Sequence, residues 1–121
     1  MTKTINTDTL INKIIEGIEE VKGKNITLLD LRNIDNAVTQ YFIIAEGTSN
    51  TQVQAISDSI KKVVSKNLQQ KPWHIEGEDK AEWILMDYVD IVVHVMQKST
   101  REYYNLEELW GDAKVMQLGV D

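Results

Sequence analysis

Residues 83–110, WILMDYVDIVVHVMQKSTREYYNLEELW, hold two adjacent apolar runs, a helix start and five aromatic side chains, and their reading decides the fold. Trp83–Asp87 and Asp90–Met96 are short and rich in apolar and β-branched residues, the signature of strands. With Tyr88 and Val89 as a two-residue turn, Asp87 pairs with Asp90, Leu85 with Val92 and Trp83 with His94, and all six share one face. Tyr-Val is an unusual choice for such a turn, which draws on Gly, Asn or Asp for its positive φ. Ile84, Met86, Ile91 and Val93 take the opposite face and form the obvious core set. The Trp83 face mixes a large aromatic, aliphatics, two carboxylates and a histidine, a composition closer to a protein interface than to a core. The same face reads as buried core if helices cover both sides of the sheet.

Outward from this stretch, Leu10, Ile11, Ile14, Ile15, Ile18 and Val21 recur at helical spacing, giving a first helix over 8–22 that Gly23 ends in a left-handed conformation. Ile26–Leu31 and Tyr41–Glu46 read as strands. Ser49 and Gln52 form a capping box opening a helix to Leu68, with Val53, Ile56, Ile60, Val63, Val64 and Leu68 as its apolar stripe. Lys61, Lys62 and Lys66 suit its C-terminal end. Pro72 blocks continuation; Trp73–Ile75 reads as a short strand and Glu76–Lys80 as a polar turn. Ser99 and Glu102 form a second capping box, opening a helix through Trp110 that Gly111 stops. On that helix Tyr103, Leu106 and Trp110 form a stripe that seals the core, and Arg101 pairs with a surface carboxylate; the alternative gives Tyr104 and Trp110 to a partner or dimer contact. The order predicts an α/β (α+β) fold: a single mixed sheet of about five strands with helices packed on it.

Length and composition bound the rest. A chain of 121 residues and 13.9 kDa fits one domain over 1–121. Hydrophobic residues at 42% and charged residues at 26% exclude a disordered chain. No apolar run approaches the ~20 residues that span a bilayer, and the N-terminal sequence has no signal-peptide pattern, so a cytoplasmic location is expected. Zero cysteines exclude disulfides, thiolate metal sites and a cysteine nucleophile. Charge is uneven: residues 1–72 carry 9 basic and 8 acidic side chains, residues 73–121 carry 4 and 11, or +1 against −7. Phosphate backbones repel the second segment and a basic protein surface suits it; acidic side chains also simply keep proteins soluble.

Taken together, YFIIAEGTS, the helix with VQAISDSI, HIEG, WILMDYVDIVVH and REYYNLEELW resemble the ribosomal silencing factor family (RsfS, also called Iojap) from about Ile11 to Trp110. The resemblance implies a nucleotidyltransferase-like fold without catalytic residues, no cofactor and no metal. It implies binding to the large ribosomal subunit through large-subunit ribosomal protein fourteen, which blocks joining of the small subunit and represses translation. It further implies no membrane partner, no direct sequence-specific nucleic-acid contact, and a homodimer as an oligomeric state. The partner-contact role falls on Trp83, Asp87 and Tyr88, and with them Leu85 and His94. Gln40 stands where the family usually has Asp, Val89 where it usually has Gly, and Met96 where Phe is common.

The alternative function is a metal-dependent nucleotidyltransferase-like enzyme or nucleotide-binding domain. Gly47-Thr48-Ser49 before a helix resembles a phosphate-holding turn. Two-metal catalysis needs closely spaced carboxylates on a strand, whereas Asp87 and Asp90 flank a turn and the carboxylates of 76–79 lie in a loop. His74 and His94 lack the further ligands of a zinc site. No catalytic residue is assigned.

Overall fold

The computed structural model describes residues 6–118. In chain order the elements are α1 (Thr7–Glu20), β1 (Lys24–Asp30), β2 (Tyr41–Gly47), α2 (Asn50–Leu68), β3 (His74–Glu76), β4 (Trp83–Asp87), β5 (Ile91–Gln97), α3 (Lys98–Tyr104), α4 (Leu106–Leu109) and β6 (Lys114–Leu118). The strands form one mixed sheet in the order β3-β4-β5-β2-β1-β6, with β2 and β5 parallel at its centre and every other pair antiparallel. Six strands replace the five expected. The sixth, β6, pairs with β1 at the edge and is largely exposed, so it carries no burial pattern.

Ile91–Met96 of β5 and Tyr41–Ala45 of β2 are all buried, so both faces of the central pair are covered. On one face α1 and α2 pack over Ile43, Ile84, Met86, Ile91, Val93 and Val95. On the other, Leu106 and Trp110 close over Leu29, Phe42, Ile44, Val92 and Met96. Parallel strands joined through a helix require such two-sided cover.

Local chemistry explains most of the boundaries. Asn6 caps α1 by accepting from the Asp8 N–H at 2.7 Å, and Ser49 caps α2 by accepting from the Gln52 N–H at 3.1 Å. At the end of α1 the left-handed residue is Lys22, with φ 62°, and not Gly23. The Gly23 N–H reaches back to the Ile18 carbonyl at 2.9 Å, and a Cβ there would lie 2.4 Å from the Ile18 side chain, so glycine is needed for space. The Ser99–Glu102 capping box does not form. α3 begins at Lys98 directly from β5, its N-cap is Gln97, and no side chain caps it.

The single helix expected over 99–110 breaks at Asn105, whose φ of 44° ends α3 and precedes α4. Asn tolerates this left-handed geometry through its short polar side chain. The break turns Leu106 and Trp110 to the sheet and leaves Tyr103 82% exposed, so Tyr103 does not join the sealing stripe. Arg101 is buried and not on the surface. Its guanidinium donates to the Asn25 carbonyl at 2.6 Å, the Thr27 hydroxyl at 2.9 Å and the Glu107 carboxylate at 2.7 Å, tying α3 to β1 and α4.

The hairpin turn lies one residue later than expected. Tyr88 N–H donates to the Ile91 carbonyl at 2.8 Å, so Val89 and Asp90 form the two-residue loop. Pairing therefore shifts by two: Trp83 faces Met96, Leu85 faces His94 and Asp87 faces Val92. A shift of two preserves parity, so the division between the two faces of the hairpin stands. Val89 has φ 78°, and the Asp90 N–H bonds the Tyr88 carbonyl at 3.0 Å, the strained γ-turn arrangement.

Two stability changes follow from this geometry. A Cβ on Gly17 would sit 2.8 Å from the Ile60 Cα where α1 crosses α2. Gly17→Ala should therefore lower the unfolding free energy by about 1–2 kcal/mol despite alanine's better helix propensity. Val89 is 61% exposed and gives up little burial, so Val89→Gly should raise stability by about 1 kcal/mol by relieving the positive φ. Urea unfolding of the three proteins checks both signs.

A half-covered aromatic face on the sheet

α3 and α4 cover β2 and β5 and reach β4 chiefly through Tyr104, which lies against Trp83. Parity places Trp83, Leu85 and Asp87 of β4 on this side, each only partly buried. Across the β3–β4 pair His74 faces Asp87 and Glu76 faces Leu85, so His74 and Glu76 belong to the same open face, and both are exposed. Their side chains meet, His74 Nε2 lying 2.8 Å from the Glu76 carboxylate.

Trp83 is the centre of an aromatic chain that runs from the core to the surface. Its ring lies 4.9 Å from that of Tyr104 on α3, and Tyr104 meets Tyr103 edge-on at 5.0 Å. Inward, the indole N–H donates to His94 Nδ1 at 3.0 Å. The imidazole in turn meets Phe42 edge-on at 4.5 Å, and Phe42 meets Trp110 edge-on at 5.6 Å. Trp83 and His94 touch as diagonal neighbours and not as the direct pair expected, a separation that long aromatic side chains bridge.

Of the five residues assigned to partner contact, the fold brings four to this face. Trp83, Leu85 and Asp87 reach its surface, and His94 lies beneath them at 4% exposure. Tyr88 is apart from them. Its parity is that of Ile84 and Met86, and its ring is buried on the α1–α2 side with 2% exposure. Burial raises its phenol well above the ordinary range, and its hydroxyl has no hydrogen-bond partner in the described protein. Asp87 also holds the turn, its carboxylate accepting from the Val89 N–H at 2.7 Å. Asp90 sits in the exposed loop and off the face.

Sequence reasoning did not assign His74 and Glu76 to the site, and gave Tyr104 a partner contact only as the alternative to sealing the core. The parity of β3 against β4 locates the first two only once the pairing is known. Tyr104 depends on the break at Asn105.

At Gly47-Thr48-Ser49 the Thr48 donors and the Ser49 hydroxyl are engaged within the turn and the helix start. The Gln52 side-chain carbonyl accepts from the Thr48 N–H at 2.7 Å and the Thr48 hydroxyl at 2.9 Å, while Ser49 accepts from the Gln52 N–H. Among the described residues no group of three or more His, Cys, Asp or Glu side chains is arranged to hold a metal ion. No described helix is long and apolar enough to cross a membrane.

Desolvation pulls the His94 imidazole down from 6.5 to about 4. The unfolded chain takes up the proton near the ordinary value and the folded chain only near the lowered one. This residue's contribution to stability is therefore complete above about pH 6.5, falls as pH drops, and levels off below about pH 4, a loss of about 3 kcal/mol in all. Urea midpoints of the wild type minus those of His94→Asn across this window should show that slope.

The chain matches the family "Ribosomal silencing factor during starvation" over residues 4–120. It is 40% identical over 115 residues to the ribosomal silencing factor RsfS of Bacillus subtilis, covering 94% of this chain and 95% of that one. A crystal structure of a protein from Chromobacterium violaceum superposes with a TM-score of 0.82 at 36% identity, covering 88% of each chain. The mouse protein named mitochondrial assembly of ribosomal large subunit protein 1 is 36% identical over 74 residues, which cover 60% of this chain and 32% of that protein. With a family match over nearly its whole length, a curated relative spanning almost all of both chains and a solved structure of the same fold, the chain belongs to the ribosomal silencing factor (RsfS) family.

Proposed function

We propose that this protein acts in the cytoplasm as a single-domain, non-catalytic repressor of translation. It docks its open aromatic face on the large ribosomal subunit, through large-subunit ribosomal protein fourteen, and sterically blocks joining of the small subunit. The observation that carries the reading is the half-covered sheet face centred on Trp83. There an anchored aromatic lies beside Leu85 and Tyr104, with the carboxylates of Glu76 and Asp87 at the rim. A central aromatic within a polar rim is the usual anatomy of a protein-binding site. The acidic rim, in a C-terminal segment of charge −7, suits a basic ribosomal protein surface. Membership of the silencing factor family and likeness to a protein named for large-subunit assembly support the choice of particle.

The test is co-sedimentation with isolated large subunits, with circular dichroism confirming that each variant is folded. Trp83→Ala should cost about 2 kcal/mol or more of binding. Glu76→Lys, at an exposed site where the side chain pairs with His74, should weaken binding by about threefold or more and reduce its salt dependence. Wild-type protein that stays in the supernatant, or variants that bind as the wild type does, would overturn the assignment.

A further inference from the structure

We propose that His94 is a positioning residue of the docking face: it makes no contact with the partner and fixes the Trp83 indole by accepting its N–H. The proposal rests on the docking reading above and gives it a residue that acts from below the surface.

The chemistry of the pair leaves one arrangement. An indole nitrogen only donates, so at 3.0 Å from Trp83 Nε1 the His94 Nδ1 must present its lone pair. The imidazole is then neutral, with its proton on Nε2. That nitrogen has no hydrogen-bond partner in the described protein. The side chain is 4% exposed and sits between Val92 and Met96 on its own strand, two apolar residues of the same parity. Ile44 lies opposite on β2 and Leu85 opposite on β4, with Phe42 edge-on at 4.5 Å.

For stability alone an aliphatic side chain belongs here. It would complete an apolar surround and remove a buried nitrogen that bonds to nothing. The only hydrogen bond that the His94 side chain makes in the described protein is the one to Trp83. That bond holds the indole by one edge while Tyr104 packs on the ring at 4.9 Å. The ring cannot turn about its side-chain torsions without abandoning the bond and leaving Nδ1 unpaired as well. An anchor ordered before the partner arrives loses less conformational freedom on binding.

Two substitutions separate positioning from packing. His94→Asn keeps an acceptor oxygen near the place of Nδ1 but leaves a void; His94→Leu fills the void and has no acceptor. Packing alone ranks Leu above Asn, and positioning ranks Asn above Leu. Two readouts are compared: the Trp83 indole N–H proton resonance of the free protein, assigned with Trp83→Phe, and the dissociation constant for isolated large subunits. The Asn variant should keep an exchange-protected indole signal and bind within about threefold of wild type. The Leu variant should lose that protection and bind about tenfold or more weakly, while unfolding at the higher urea concentration of the two. If Leu does not fold, Met carries the same test. A Leu or Met variant that binds like wild type beside wild-type binding would overturn the positioning role alone. So would a folded Asn variant that loses both signal and affinity. Absence of wild-type binding would remove the docking reading and this role together.

Discussion

The parallel pairing of β2 with β5, buried on both faces, is the constraint on which the rest of the structure depends. A sheet buried on both sides needs two layers of cover, and this chain supplies them unequally. α1 and α2, of 14 and 19 residues, lie across one face as a helical layer. The other face receives seven residues of α3 and four of α4. At about 1.5 Å of rise per residue these short helices shield the strands they sit on and little beyond. β4 and β3, the outer strands on that flank, keep their second face open. The aromatic face is thus a consequence of how much helix the sequence provides after β5, and no separate element builds it.

Arg101 keeps that short cover in place. Its guanidinium, nearly removed from water, is surrounded by the Asn25 carbonyl, the Thr27 hydroxyl and the Glu107 carboxylate, with Glu46 at 3.5 Å. A buried cation is tolerated only with such complete pairing, and the planar fork of arginine meets partners on several elements at once. Here the partners come from β1, β2 and α4 while the residue itself is on α3. The bond network therefore fixes α3 over the sheet, and with it Tyr104 over Trp83. A lone surface ion pair, the role that spacing on an unbroken helix suggests for this residue, would give no such fixation.

Much of this was legible in the residues, because burial writes a pattern and these elements are buried. The helix over Asn50–Leu68 follows from its stripe and its Ser49 cap, and the two faces of the β4–β5 hairpin follow from alternation. What escaped has little burial or depends on one backbone angle. β6 is an exposed edge strand, so its apolar residues obey no alternation that periodicity could detect. The turn moved because Val89, a β-branched residue, adopts φ 78° where steric preference argues against it. Because parity is preserved, alternation predicts the two faces and misses only which residues stand opposite one another. The same one-residue move extends the strand alternation to Tyr88 and turns it into the core. The break at Asn105 likewise has no apolar signature, and an amphipathic stripe drawn through it places Tyr103 on the wrong side.

Trp83 is neither wholly core nor wholly open. It is partly buried because Tyr104, the apolar cluster and His94 hold it, and partly exposed because no further described element lies over β4. Burial on the inner side supplies rigidity; exposure on the outer side supplies contact area. A fully exposed indole would sample many rotamers and lose them on binding, and a fully buried one would offer no surface. Trp73 illustrates the first case: at 79% exposure it lies just before β3 with its ring almost wholly in solvent. Half-burial places Trp83 between these limits, where an aromatic can present a fixed edge to a partner while remaining part of the fold that presents it.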